Sequence, residues 1–241
     1  MNFAGVKSIT IPEGDVKSIA IGGVTVWEKP SPLPYDAEVE YIESTGTQYV
    51  DTGVVPDSNT SFETRYIQTS APYKFCPVAY AGDVYNSSNT FGFAVNKATG
   101  INSYFGTAVN LHVGDNMVAI GQTISIRFRR GNANIVMTNE TTGITSSSSF
   151  GSATYTKGSR TLYLMNGNTG TTDLAHPGCL RIFSFLLYDN NILVRDFVPC
   201  RVGQTGYLYD RANPTGGPSG NGLYGSATST PLVAGPDKNG G

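Results

Sequence analysis

The sequence predicts an all-β protein arranged as a two-sheet antiparallel sandwich, and two observations support this prediction. Gly, Ser, Thr and Asn are abundant while only 14% of the residues are charged, and runs with apolar residues at the i, i+3, i+4 and i+7 positions of a helix are missing. Short strand-like runs bounded by turn residues instead recur at regular spacing, as in sandwiches. Because 241 residues can enclose one sizeable core, we expect one main domain with at most a small appendage.

The stretch 180–200 is the element around which we expect the rest to pack. Two apolar runs flank the turn Asp189-Asn190-Asn191, whose residues tolerate positive φ and can return the chain as an antiparallel hairpin. Pro199 lacks a backbone N–H and is expected to end the second strand. The residues predicted to lie in the core are Phe183, Phe185, Leu187 and Val194. By contrast, the serine run 146–149 is interpreted as a loop tip.

The first 29 residues contain a short internal repeat. Val6–Ile11 recurs ten positions later as Val16–Ile21, and Val24–Trp27 follows, so three short strands in a β-meander are predicted. Strands this short bury little surface, and we expect the meander to attach to the main domain or to another protein. A linker with three prolines, 30–36, separates it from the main domain, 37–241.

Charge and terminal sequence exclude several classes of partner. The net charge is −2 with no basic patch, so no nucleic-acid partner is expected, and no apolar or cationic amphipathic stretch indicates a membrane. The N-terminus lacks a signal-peptide pattern, so synthesis in a cytoplasm is expected, and a secreted lectin or adhesin would need the missing signal.

Three cysteines have no metal-ligand spacing. Cys76, Cys179 and Cys200 are best interpreted as free, buried thiols, with a bridge from Cys179 to Cys200 as the alternative. No cofactor and no metal site are predicted.

The spacing Glu38-x-Glu40-x-x-Glu43 is the strongest enzymatic candidate. Retaining glycosidases need two carboxyl groups about 5 to 5.5 Å apart. On a regular strand, however, Glu38 and Glu40 share a face and Glu43 points to the other, so only a bulge could align them. We therefore predict a protein without catalytic residues, and a glycoside hydrolase using these glutamates is the alternative.

A glycan-binding site is predicted in the polar loops between about 82 and 105. Sugars are held by aromatic faces together with amides and carboxylates, and such groups cluster in this segment. The candidate residues are Asp83, Tyr85, Asn86, Asn89, Asn102 and Tyr104. A second cluster comprises Asn166, Asn168 and Asp173. Asx turns and half-buried aromatic residues are the competing interpretation for both.

Motifs near both ends of the main domain carry a resemblance to a known family. They are Tyr41–Gly53, Arg181–Phe185, Leu193–Pro199, Leu208–Asp210 and Ala234–Pro236. With them, the chain from about 37 to 237 resembles the laminin-G-like, concanavalin A-like jelly-roll domains of phage and prophage structural proteins from gut bacteria. Here a Gly/Pro-rich insertion follows Asp210, where such domains have a compact closure, so the register of the final strand is left open.

This resemblance implies a jelly roll and a non-enzymatic virion protein, as a capsid decoration, head fibre or tail component. The N-terminal module, residues 1–29, would contact other virion proteins, and the sandwich would face outward. Homo-oligomers or many copies per particle would be expected, with host-surface or mucosal glycans as ligands. Laminin-G-like domains sometimes bind Ca²⁺, for which Asp83 or Asp189 could supply oxygen ligands, but no metal is assigned.

Overall fold

A computed structural model describes residues 18–21, 24–28, 33–70, 75–82, 88–96, 100–113, 117–129, 134–170 and 179–238. The chain divides into two compact units, Met1–Leu33 and Pro34–Gly241, with the division inside the predicted linker. The described residues form strands and turns, and among them no helix could cross a membrane.

The first unit contains an antiparallel hairpin. Strand β1 (Ser18–Ile21) pairs with β2 (Val24–Glu28), with a shift in register between Ile19 and Ala20. Two of the three predicted meander strands are therefore present. The first copy of the repeat, 6–11, lies outside the described residues, and the attachment role of this unit stays a prediction.

The second unit contains the remaining strands: β3 (Ala37–Glu38), β4 (Ile42–Thr45), β5 (Val50–Asp51), β6 (Thr60–Gln68), β7 (Phe75–Ala81), β8 (Phe91–Asn96), β9 (Gly100–Phe105), β10 (Ala108–Val113), β11 (Thr123–Arg129), β12 (Asn134–Asn139), β13 (Ile144–Ser149), β14 (Tyr163–Leu164), β15 (Gly167–Asn168), β16 (Cys179–Asp189), β17 (Ile192–Val202), β18 (Thr205–Asp210), β19 (Leu223–Tyr224) and β20 (Leu232–Ala234). The serine run 146–149 lies in β13 and pairs with β12, so its interpretation as a loop tip is wrong.

Two sheets make up this unit, as predicted for an all-β sandwich. The smaller sheet has the order β10-β9-β8-β7-β14-β5, with β15 added parallel to β7. The larger sheet has the order β13-β12-β11-β6-β16-β4-β20-β18-β17-β3, with β19 beside β18. Strand β16 pairs with β6 on one side and with both β4 and β17 on the other. Strands β16, β4, β20, β18 and β17 thus form a closed ring of pairings.

Aromatic side chains from both sheets fill the core. Phe62 of β6 stacks on Phe93 of β8 with ring centroids 5.0 Å apart, and on Phe185 of β16 at 6.0 Å. Phe185 and Leu187 are fully buried, which confirms their predicted positions, and Val194 is half-buried against the same core. The three cysteines are free, as favoured from the sequence, and burial raises the pKa of the Cys200 thiol to about 12.

A β-bulge in β16 overturns one core prediction. The register with β6 shifts between Ile182 and Ser184, so Phe183 is the extra residue. Ile182 and Phe185 consequently both face the core, and Phe183 faces outward, half-exposed. Phe183 was predicted in the core because regular alternation was assumed. The turn prediction is confirmed, since Asn190 and Asn191 have φ of 50° and 63°.

Pro199 does not end its strand. β17 continues to Val202, and its ladder with β18 runs through Pro199. The carbonyl of Pro199 accepts a hydrogen bond from Val39 N at 3.0 Å, so the proline nitrogen also faces the β3 side. β3 ends at Glu38, so Pro199 lies just past the paired residues of this edge strand, a position where proline is tolerated.

The closing motif contains a buried carboxylate, that of Asp210. Its Oδ1 accepts hydrogen bonds from the backbone N–H groups of Asp196 and Ala212, each at 3.0 Å. Its Oδ2 lies 3.5 Å from Nε of Arg195, which is an ion pair without a hydrogen bond. The Arg195 side chain is itself only 16% exposed, and its Nε donates to the carbonyl of Thr52 at 3.1 Å. The closing motif is thereby joined to the opening motif.

The opening motif also fixes the backbone. Gln48 is buried, and its Oε1 accepts from the N–H of Thr45 at 3.1 Å and from Ser44 Oγ at 3.2 Å. Its Nε2 donates to the carbonyl of Pro231 at 3.2 Å. This side chain closes the turn after β4 and ties it to the segment before β20.

We predict that Phe185→Ala lowers the free energy of unfolding by roughly 3 to 5 kcal/mol, because it leaves a cavity among packed rings. Phe183→Ala is the matched control, and it should cost about 1 kcal/mol or less because the ring lies on the outer face. Urea unfolding of both variants measures the difference. Equal losses would contradict the assignment of the bulge.

We predict that Asp210→Asn costs roughly 3 to 5 kcal/mol, because it leaves the largely buried Arg195 guanidinium unpaired. Asp196→Asn removes the same charge from a half-buried carboxylate outside this network, and should cost less than about 1 kcal/mol. Thermal and urea unfolding compare the two variants. A stable Asp210→Asn protein would show that this ion pair is dispensable.

Candidate functional site

The structure does not support the predicted loop cluster as a single exposed site. Asn102 and Tyr104 lie in strand β9, and only 7% and 4% of their surfaces are exposed. Tyr104 packs edge-on against Tyr80 with ring centroids 5.4 Å apart, on the face of the smaller sheet turned away from the main core. Asn89 is half-buried in a turn. Polarity had suggested exposure, but this face of the sheet is covered.

Part of the predicted cluster remains untested. Asp83, Tyr85 and Asn86 lie outside the described residues, as does Asp173 of the second cluster. In that second cluster, Asn166 is buried with its Oδ1 accepting from Gly167 N, and the side-chain amide of Asn168 donates to the carbonyl of Thr161 at 2.9 Å. The side chains of these two asparagines therefore hydrogen-bond to nearby backbone atoms, which is a structural role.

The three glutamates of the enzymatic alternative lie in different surroundings. Glu38 in β3 accepts hydrogen bonds from Arg211 at 2.5 Å and Lys238 at 3.3 Å. Burial alone would raise the pKa of Glu38, but these two cations outweigh it and hold the pKa below its usual value. Glu43 in β4 pairs with Arg181 at 2.9 Å. Of the three, only Glu40 has no basic partner in the described part of the chain.

Metal ligands are sparse wherever the structure describes the chain. No group of three or more His, Cys, Asp or Glu side chains there could hold an ion. Asp189, one of the two residues considered for Ca²⁺, accepts a hydrogen bond from the side chain of the neighbouring Asn190.

The outer face of the larger sheet, the face turned away from the core, carries two adjoining depressions. The first has a volume of about 410 Å³ and the second about 460 Å³. Both are lined by Arg65 and Ser184, so together they form one trough. The first is also lined by Glu63, Ser125, Arg127, Val136, Thr138 and Leu186, and the second by Glu40, Phe183 and Lys238.

The strand register explains why the outer face of the sheet is depressed here. Direct cross-strand partners place Thr145, Thr138, Ser125, Arg65 and Ser184 in one row across β13, β12, β11, β6 and β16. Four of these five side chains are short hydroxyls. The next row contains the larger residues Val136, Arg127, Glu63 and Leu186. A row of small side chains beside a row of large ones leaves a depression with a hydroxyl-lined floor.

A series of ion-pair, cation–π and aromatic contacts runs along the trough. Arg181, paired with Glu43, lies 4.5 Å from the ring centroid of Tyr41, which packs edge-on against Phe183 at 5.7 Å. Arg65 in turn lies 4.7 Å from the Phe183 centroid. The ring that the bulge turns outward is therefore held in a fixed place.

Glu140 lies at the far end of this series of contacts. Its carboxylate accepts hydrogen bonds from Arg65 Nε at 2.7 Å and from the hydroxyl of Ser125. Burial would raise the pKa of Glu140, but these two hydrogen bonds and the charge of Arg65 lower it below its usual value. The carboxylate thus stays ionised and keeps Arg65 in position at neutral pH.

Sequence reasoning missed the trough for an identifiable reason. Along β6, Glu63, Arg65 and Ile67 alternate with the buried residues Phe62, Thr64 and Tyr66. Nothing in a single sequence, however, indicates which outward rows of different strands come together, or that Phe183 joins them through a bulge. Aromatic and amide residues that are close in sequence instead indicate the loops.

Comparison with known proteins leaves the family of the chain open. No family model matches it, and no curated protein matches it significantly. The solved structures found include the CBM40 domain of the Ruminococcus gnavus IT-sialidase bound to α2,3-sialyllactose, at 13% identity and a TM-score of 0.43. That match covers 64% of this chain and 89% of the other.

Two further structures of the same R. gnavus CBM40 domain are also similar. The one without a named ligand has 14% identity and a TM-score of 0.42, over 64% of this chain and 90% of the other. The one bound to α2,6-sialyllactose has 12% identity and a TM-score of 0.35, over 61% and 90%. Likenesses this distant do not bear on the ligand of this chain, and the two-sheet fold rests on the strand pairings described above.

Proposed function

We propose that the sandwich is a non-enzymatic glycan-binding domain whose ligand lies in the trough. The observation that carries the proposal is the combination of a hydroxyl-lined floor with the outward ring of Phe183 and the apolar side chains of Val136 and Leu186. Sugars present hydroxyl groups beside an apolar ring face, and sites of this composition suit them.

The glutamates favour binding over hydrolysis. A glycosidase needs one carboxyl group with a raised pKa and a second one nearby. In the described second unit, Glu38, Glu43, Glu63 and Glu140 each pair with an arginine, and the pKa values of Glu38 and Glu140 lie below their usual range. Glu40 alone is without such a partner there, and one carboxylate does not supply both roles.

The openness of the trough implies weak binding at each site. A shallow, solvent-exposed surface buries little of a ligand, so affinity at one site is low. Several copies that engage one surface together raise the overall affinity by orders of magnitude. Binding of useful strength would therefore need several copies, which fits the expected oligomer or multicopy display.

We predict that Ser184→Tyr abolishes glycan binding, because a large ring at the point shared by the two depressions fills the trough. The full chain, biotinylated and displayed on streptavidin, is applied to a glycan array and to host cells. Ser152→Tyr adds the same ring at an exposed turn outside the trough and should bind like the unmodified protein.

The same preparations separate the competing proposals. Equal binding by the Ser184→Tyr and unmodified proteins would place the site elsewhere, and loss in Tyr85→Ala alone would favour the loop that contains Asp83, Tyr85 and Asn86. Turnover of a bound polysaccharide that Glu43→Gln abolishes would support the glycoside hydrolase instead.

For the biological setting we keep the virion proposal. It is supported by the resemblance of the opening and closing motifs to phage structural domains, with the unit that precedes Pro34 as the attachment module. We predict that the protein copurifies with virus particles from its source culture, detected by mass spectrometry and located by cryo-electron microscopy as capsid or tail. Recovery in the cell fraction alone would contradict this proposal.

A further inference from the structure

Arg127 is exposed beside the floor of the trough, in the row of larger side chains next to the hydroxyl row. Its cross-strand partners on either side are Glu63 and Val136. Glu63 forms its ion pair with Arg129 instead, and Glu140, the other nearby acid, is held by Arg65. Within the described residues, Arg127 therefore has no carboxylate of its own.

This pairing pattern leaves an excess of positive charge at one end of the trough. Arg65 and Arg127 line this end, and the two nearby glutamates, Glu140 and Glu63, are paired with Arg65 and with Arg129. Where the structure describes the chain, no carboxylate occupies the guanidinium of Arg127, and its planar fork fits a carboxylate or a sulfate with two parallel hydrogen bonds.

The opposite end of the trough has the reverse character. Glu40 is exposed and lines the second depression, while the neighbouring Lys238 is paired with Glu38 at 3.3 Å. An unpaired carboxylate accepts hydrogen bonds from sugar hydroxyls and repels anions. The two ends of the trough thus differ in charge.

We infer that the trough binds an anionic glycan, whose carboxylate or sulfate group lies over Arg127 and whose neutral, hydroxyl-rich part extends past Phe183 toward Glu40. This inference rests on the proposed function and adds the ligand class and the direction of the chain. The apolar side chain of Val136, the cross-strand partner of Arg127 on β12, lies beside this position.

The test uses the displayed full chain on an array that holds acidic and neutral glycans. The unmodified protein should bind mainly carboxylated or sulfated glycans, and less at high salt because the charges are screened. Arg127→Gln should weaken this binding by about tenfold or more, and Arg127→Lys should retain part of it. Lys157→Gln removes an equal charge outside the trough and should change nothing.

Derivatives of the strongest acidic ligand identify the anion. Carboxyl reduction should abolish binding if Arg127 binds a carboxylate, and desulfation should do so if it binds a sulfate. Because the Arg127 side chain is exposed, its variants should keep the thermal midpoint of the unmodified protein, so a loss of binding would not reflect unfolding.

The outcomes separate this inference from the proposed function. Binding lost in Ser184→Tyr but unchanged in Arg127→Gln, or a preference for neutral glycans, overturns the anionic ligand and leaves glycan binding in the trough intact. Binding to no glycan at all overturns the proposed function and the inference together.

Discussion

The buried carboxylate of Asp210 is the interaction on which the closure of the sandwich depends. It accepts two backbone N–H groups and faces the guanidinium of Arg195, which in turn reaches the carbonyl of Thr52 at the other end of the domain. A buried charge is strongly destabilising when its charged partner is removed. The network forms only when the closed ring of strand pairings brings β17 and β18 back to β4. In turn, the network stabilises that ring.

Much of the fold follows from local rules that the sequence displays. Alternation identifies β6 and β11, and Asn190 with Asn191 identifies the central hairpin, because these signals depend on neighbours in the chain. The bulge at Phe183 and the passage of β17 through Pro199 depend on the partner strand. In the first case β6 sets the register, and in the second Pro199 lies just past the paired residues of the edge strand β3. Neither partner can be inferred from one sequence.

The candidate site was less predictable than the fold, because its residues come together only through register. Ser125, Arg65 and Ser184 come from three strands and share one row, whereas the predicted residues Asn102 and Tyr104 are close in sequence but buried. Proximity in sequence is a poor guide on a sheet, where a surface is assembled across strands rather than along them.

The motifs that carry the family resemblance have structural roles here. Gln48 closes a turn, Arg195 and Asp210 join the ends of the domain, and all three are buried or nearly so. Such motifs identify the fold of the domain, and they do not indicate which ligand it binds. The residues of the trough are different in kind, since Arg127 and Glu40 are exposed and have no ion pair in the described part of the chain. Their replacement leaves the core untouched, so the specificity proposed for the trough would change while the closing network keeps the fold constant.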